Sequence, residues 1–120
     1  MIETSPRLPD GEPFPTLWWL TCKTLCVEIS RLESAGFMRS MSEMIAMGGD
    51  AHADLGEATE RYLERRDALE VLGDPAHPGG FPRIKCLHAH VAHQLITGDN
   101  PVGKATLDEL NWEDPSTPCV

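Results

Sequence analysis

The sequence predicts a small, mostly helical single domain: a bundle of four to five helices behind an extended N-terminal arm or short β-hairpin. From Cys22 onward, apolar residues recur at steps of three and four, the period of a helix with one buried face. Glycine and proline punctuate those runs at Gly36, Gly48-Gly49, Gly73 to Pro82 and Gly98 to Pro101. A length of 120 residues, 41% hydrophobic and 24% charged, suits one globular unit of ~100–150 residues rather than a disordered chain. The single domain divides into an arm over 1–21, a helical core over 22–112 and a tail over 113–120.

The arm holds five prolines and glycines between Pro6 and Pro15, which prevent a helix there. Asp10-Gly11 is a turn signal, so Ile2-Glu3-Thr4 and Thr16 to Leu20 are expected as short strands of a hairpin or as extended arms. A first helix is expected from Cys22 to Ala35, with Thr21 as N-cap and Gly36 as the left-handed stop. Cys22, Leu25, Ile29 and Leu32 fall on its buried face. A second helix, Phe37 to Met47, buries Phe37, Met41, Met44 and Ile45, its methionines serving as adaptable core filling. Asp50 caps a third helix running to Leu72, whose seam is Leu55, Ala58, Tyr62 and Leu69. Glu57 with Arg61 and Arg66 with Glu70 are four-residue pairs that support this helix.

A fourth helix is expected from Pro82, a favourable first-turn residue, to Thr97. A weaker last helix covers Lys104 to Leu110, after which Trp112 docks and Pro115 to Val120 trails off.

Charge and hydropathy narrow the function. A formal net charge of -9 opposes binding to nucleic acid or anionic membrane, where affinity comes from lysine and arginine. No apolar run approaches the ~20 residues that span a bilayer, and the start lacks the basic-then-apolar order of a signal peptide. A cytoplasmic protein is expected, with its four cysteines as free thiols or metal ligands rather than staples. Arg31, Arg65, Arg66, Arg83 and Lys85 are expected in structural ion pairs or on solvated faces in preference to an anion pocket.

The densest chemistry lies between Lys85 and His93, where Cys86, His88, His90 and His93 stand within nine residues. On a fourth helix, Ile84, Leu87, Val91 and Leu95 gather on the core face, and Cys86, His90 and His93 on nearly the opposite one. Thiolate and imidazole at that spacing suit an ion of the zinc type, with Cys22 as the fourth donor. A solvated histidine stripe is the plainer alternative. His88 points toward the apolar side and is expected as a hydrogen-bonded core histidine. A nucleophilic Cys-His pair needs an accessible thiolate, its pKa lowered by a neighbouring positive charge such as Arg83 or Lys85. Cys86 and His88, two apart on a helix, are expected to point to different sides, which counts against a local pair and leaves Cys22 with His88 or His93 across the core.

Several stretches together resemble one bacterial family. Pro6 to Cys22 (PRLPDGEPFPTLWWLTC), Ile29-Ser30-Arg31-Leu32-Glu33 with Gly36, Arg83 to Ala89 (RIKCLHA) with Ala92-His93, and Asn100-Pro101-Val102-Gly103 are similar to domain of unknown function 501, common in actinobacteria. The resemblance brings no established activity, and it implies which residues carry the site. Its pattern includes Cys22, Cys86, His88 and His93; position 90 is usually apolar, and Cys26 has no counterpart. The proline that often follows the first of these cysteines is Lys23 here. Family members also tend to carry an upstream Cys-x-Cys-Gly segment, which this chain lacks.

The expected function is a small metal-binding protein of the zinc type, with Cys22, Cys86, His88 and His93 as ligands and His90 as an alternative. One competing expectation is a metal-free interaction module that holds a protein partner, or a second copy of the chain, through the arm from Phe14 to Trp19. A thiol-dependent enzyme is the third.

Overall fold

The computed structural model describes the backbone of residues 2–3, and residues 16–69 and 77–112 in full. The expected helical bundle is present, with a two-residue ladder against it: β1 (Ile2–Glu3) pairs antiparallel with β2 (Trp18–Trp19), Ile2 opposite Trp19 and Glu3 opposite Trp18. The expected Asp10-Gly11 turn lies outside the described residues. The second arm is part of the core rather than a free arm, since Leu17, Trp18 and Leu20 are buried and Trp19 alone of this run is half exposed. Phe14 lies outside the described residues.

Helix α1 (Lys23–Ser34) buries Leu25 and Ile29, as its spacing requires. Its N-cap is Cys22 rather than Thr21: the sulfur, 3.5 Å from the Leu25 backbone nitrogen, accepts that otherwise orphaned N–H. Helix α2 (Phe37–Ala46) starts from Gly36, whose φ of 91° lets the chain reverse between the two helices. Met41 and Ile45 are buried. Helix α3 (Gly49–Asp67) buries Leu55, Ala58 and Tyr62. It ends before Leu69, which is 52% exposed and does not continue the seam. Arg61 meets Asp99 at 2.8 Å, with its expected partner Glu57 adding a further attraction, and Glu70 lies outside the described residues.

Helix α4 (Leu87–Thr97) is shorter than its pattern suggests. Backbone N–H groups before it have partners elsewhere in the fold: Ile84 donates to Ser42 Oγ at 3.0 Å, and Lys85 and Cys86 donate to the Gly79 carbonyl at 2.8 and 3.1 Å. With those donors satisfied, the chain from Pro82 to Cys86 has no need of helical bonds. Helix α5 (Pro101–Glu109) begins earlier than expected because Asn100 accepts the Gly103 N–H at 2.9 Å and Pro101 fits the first helical position. Trp112 packs partly against the core.

Helix α4 is the centre of the bundle, with Leu87, His90, Val91, Ala92 and His93 all buried. The expected polar stripe is therefore inside the protein, and its imidazoles must find partners there. The partners form one closed network. Gly79 N–H donates to His77 Nδ1 at 2.9 Å, so His77 carries its proton on Nε2 and donates to His93 Nδ1 at 3.0 Å. His93 Nε2 then faces the Asp99 carboxylate at 3.1 Å, off the line of a good hydrogen bond. His90 Nε2 donates to the Gly80 carbonyl at 2.9 Å, and its Nδ1 accepts from Asn100 Nδ2 at 2.9 Å. His77 and His90 stack with centroids 4.3 Å apart. His77 and His90 thus have partners for both ring nitrogens in the neutral form, and His93 Nε2 has only its close approach to Asp99.

Gly103 sets how closely α5 approaches α4, because a Cβ there would lie 2.3 Å from the His90 carbonyl oxygen. Gly103→Ala is expected to cost about 1–3 kcal/mol by overpacking, more than the ~1 kcal/mol of helix propensity that alanine returns. A thermal melt of this variant tests the contact; an unchanged or higher Tm would show that the helices separate freely.

Burial likewise fixes how acid acts on the histidine network. Desolvation lowers His90 and His93 to about 4 and His77 further, so the folded chain keeps them neutral while the unfolded chain takes up protons near pH 6.5. Their stabilisation is complete above pH 6.5 and is lost as pH falls toward 4, by up to roughly 1.4 kcal/mol per pH unit for each histidine. Urea midpoints should drop steadily from pH 6.5 to 4.5, with a shallower slope in His77→Gln. A flat profile would contradict the network.

Candidate functional site

The N-terminal end of α4 meets one face of α1. On α1, Cys26, Ser30 and Glu33 follow at i, i+4 and i+7 and so share that face. Glu33 ties the two helices together: Oε2 accepts the Leu87 N–H at 2.8 Å, and Oε1 lies 3.3 Å from His88 Nδ1. A carboxylate at this position also suits the positive end of the α4 dipole.

His88 is held from its other side. Its Nε2 donates to the Cys26 carbonyl at 3.1 Å and lies 3.2 Å from Ser30 Oγ. A carbonyl only accepts, so Nε2 carries a proton, and Nδ1 faces Glu33 and Cys86. Cys86 Sγ lies 4.0 Å from that nitrogen. This overturns the expectation that Cys86 and His88 point apart. Cys86 is the N-cap of α4, with extended backbone at φ -151° and ψ 113°, so it does not follow the helical rotation that separates residues two apart. The expectation of His88 as a core histidine also gives way, since its side chain is 28% exposed.

Among the described residues, Glu33, Cys86 and His88 form the group whose ligand atoms all lie within 4.8 Å of one another. Such a group could hold a metal ion. Electrostatics within it are strongly coupled. Burial alone would raise the pKa of the Cys86 thiol, but the His88 imidazole and the Ala89 backbone N–H outweigh it and the pKa falls below the usual thiol value. His88 is pushed up to about 9 by its contact with Cys86, against the opposing effect of burial, with the Cys26 carbonyl and Glu33 adding to the rise.

Cys86 and His88 stand on the wall of a cleft of about 370 Å³, which Trp18, Trp19, Leu20, Pro78 and Ala89 also line. Glu33 is not among the residues that line this cleft. Cys26 lines the cleft too; its thiol donates to the Leu20 carbonyl at 3.7 Å, and burial raises its pKa.

The expected ligands thus fall in separate places. Cys86 and His88 are together. Cys22 caps α1 and is disulfide-bonded, whereas Cys26 and Cys86 are free thiols. His93, with the alternative ligand His90, belongs to the buried histidine network. Cys119 lies outside the described residues. Of the basic residues, Arg31 pairs with Glu28 at 2.7 Å, as expected of a structural ion pair, and Arg65 covers the Trp18 ring at 5.1 Å.

Glu33 was missing from the expected site. Its i+7 spacing from Cys26 was the available signal, but it pointed to α1 as a donor face only once α4 was known to end there. His77 had no periodic context to mark it, because it sits in the Pro- and Gly-rich loop.

No helix among the described residues is long and apolar enough to cross a membrane. No curated protein and no solved structure matches the chain. A family model described as "Protein of unknown function (DUF501)" matches residues 1–108, a span that includes every one of the sequence motifs, and the chain belongs to that family.

Proposed function

We propose that the chain is a metal-binding protein whose ion, of the zinc type, is held by Cys86 Sγ, His88 Nδ1 and a Glu33 carboxylate oxygen, with a fourth position open toward the cleft. The convergence of those three donor atoms within 4.8 Å is the observation that carries this reading. Bond lengths of about 2.3 Å to sulfur and about 2.0–2.2 Å to nitrogen and oxygen space a tetrahedral sulfur–nitrogen pair roughly 3.5 Å apart and a nitrogen–oxygen pair roughly 3.4 Å apart. The distances here are 4.0 and 3.3 Å, so the nitrogen–oxygen pair is already at the spacing an ion needs and Cys86 has to move inward.

The outer partners support the same reading. A metal-bound imidazole characteristically donates its second N–H to a carbonyl or carboxylate, which fixes tautomer and ring orientation. The Cys26 carbonyl occupies that position on His88, and the Leu87 N–H holds the second Glu33 oxygen. Three protein ligands and an open position are the pattern of zinc sites that polarise a bound molecule or water, whereas closed sites of four ligands are structural.

A second reading rests on the Cys86–His88 contact alone. Without an ion, Nδ1 can take the thiol proton to give a thiolate beside an imidazolium, which is a nucleophile for electrophilic substrates. The two readings part on whether metal protects the sulfur.

Protein purified under reducing conditions and exposed to zinc should hold one equivalent after gel filtration. Cys86→Ser and His88→Ala should lose it, while Cys26→Ser, whose thiol lies outside the donor group, should keep it. No zinc in the parent protein, or full zinc in both ligand variants, would refute the site. Iodoacetamide labelling of Cys86 should be at least tenfold slower in the zinc-loaded protein than after chelation. Equal fast labelling in both states would favour the metal-free thiolate.

A further inference from the structure

The cleft beside the donor group differs in character from the group itself. Its apolar wall comes from Trp18 and Trp19 on β2, Leu20, Pro78 and Ala89, and lysine and arginine are absent from its lining among the described residues. At about 370 Å³ it lies in the lower part of the ~300–1,000 Å³ range of small-molecule sites. Trp19 is 51% exposed, so one large aromatic face at the cleft stands partly uncovered. The donor group supplies two anionic ligands, Cys86 and Glu33, and a neutral imidazole, which together balance a divalent ion. A centre without net charge, in a chain of formal charge -9 and at a cleft whose lining holds no basic side chain among the described residues, offers little to a phosphate or another multiply charged anion.

Resting on the metal reading above, we infer that the site takes a small organic ligand that pairs one metal-coordinating head, singly anionic, with an apolar tail about the size of an aromatic ring. The head occupies the coordination position left open between Cys86 and His88, and the tail packs along Trp19 and Pro78. Neither half suffices alone: the head supplies direction through a coordinate bond, and the tail supplies affinity by removing apolar surface from water.

Benzohydroxamate and acetohydroxamate share a metal-binding head and differ in the tail, so titrating each into zinc-loaded protein while following tryptophan fluorescence tests both halves. Benzohydroxamate should bind at least about tenfold tighter than acetohydroxamate, and pyrophosphate no tighter than acetohydroxamate. In Trp19→Ala the advantage of the phenyl group should shrink to about twofold or less while zinc content stays at one equivalent, which also shows that the variant folds. Equal affinities of the two hydroxamates with zinc bound would overturn the apolar-tail assignment and leave the metal site standing. Benzohydroxamate binding as tightly after chelation would overturn the coordinating head. A parent protein that holds no zinc would overturn the metal reading and this inference with it.

Discussion

A central helix buried on nearly every side, yet carrying imidazoles where a core helix usually carries aliphatic groups, is the constraint from which the rest of this structure follows. His90 and His93 are each no more than 1% exposed, so every ring nitrogen needs a partner inside the protein. The loop at residues 77–80 is drawn in to supply His77 and the Gly80 carbonyl, and Asn100 is drawn in to serve two roles at once. Its carbonyl oxygen caps α5 and its amide nitrogen reaches both His90 and His93. One side chain thereby fixes where α5 starts and how α4 is paired. The same loop places Pro78 in the cleft wall and the Gly79 carbonyl under Lys85 and Cys86, so the core network also positions the thiol.

Along α4 the environment changes faster than the sequence does. His88 and His90 are two residues apart, yet one is raised to about 9 and the other lowered to about 4. The cause is contact with Cys86 in one case and desolvation by burial in the other. His88 meets a thiol, a carboxylate and a carbonyl at a helix end that is partly open. His90 meets a carbonyl, an amide and another imidazole in the dry interior, where a positive charge has no compensating anion. The two neutral rings belong to the packed interior, and His88 belongs to the partly open helix end. Composition could not distinguish them, since the residue type is the same.

Much of the bundle was legible from period and punctuation. Gly36, Gly48 and Gly98 stand where helices stop or start, and Leu25, Ile29, Met41, Ile45, Leu55 and Tyr62 are buried as their spacing required. The fourth helix was the main exception, and one misplacement of its start propagated into the site. Reading the helix from Pro82 put Cys86 on a helical face with His90 and His93, because rotation by about 100° per residue was applied to a residue with extended backbone. Long-range bonds from Ser42, Gly79 and Glu33 set the true start, and partners 42 and 54 residues away leave no local trace. Expecting the histidine face to be polar and outward followed from ranking imidazole as a surface group. Here a third histidine and an asparagine from outside the helix reverse that ranking.

Glu33 shows why a donor group built across two helices resists detection from spacing. Within α1 it reads as one more acidic residue in an acidic chain, and its first duty is to accept an N–H at the end of α4. That bond brings the second carboxylate oxygen to 3.3 Å from His88 Nδ1, so the interaction that docks the helices is also the one that completes the donor set. Such coupling makes the geometry rigid where it matters. The carboxylate cannot leave the imidazole without freeing the Leu87 N–H, and the imidazole cannot rotate without giving up the Cys26 carbonyl. Cys86, just outside the helix, is held through its own N–H, which bonds the Gly79 carbonyl. The docking of α4 on α1 and the convergence of thiol, imidazole and carboxylate are therefore one structural event.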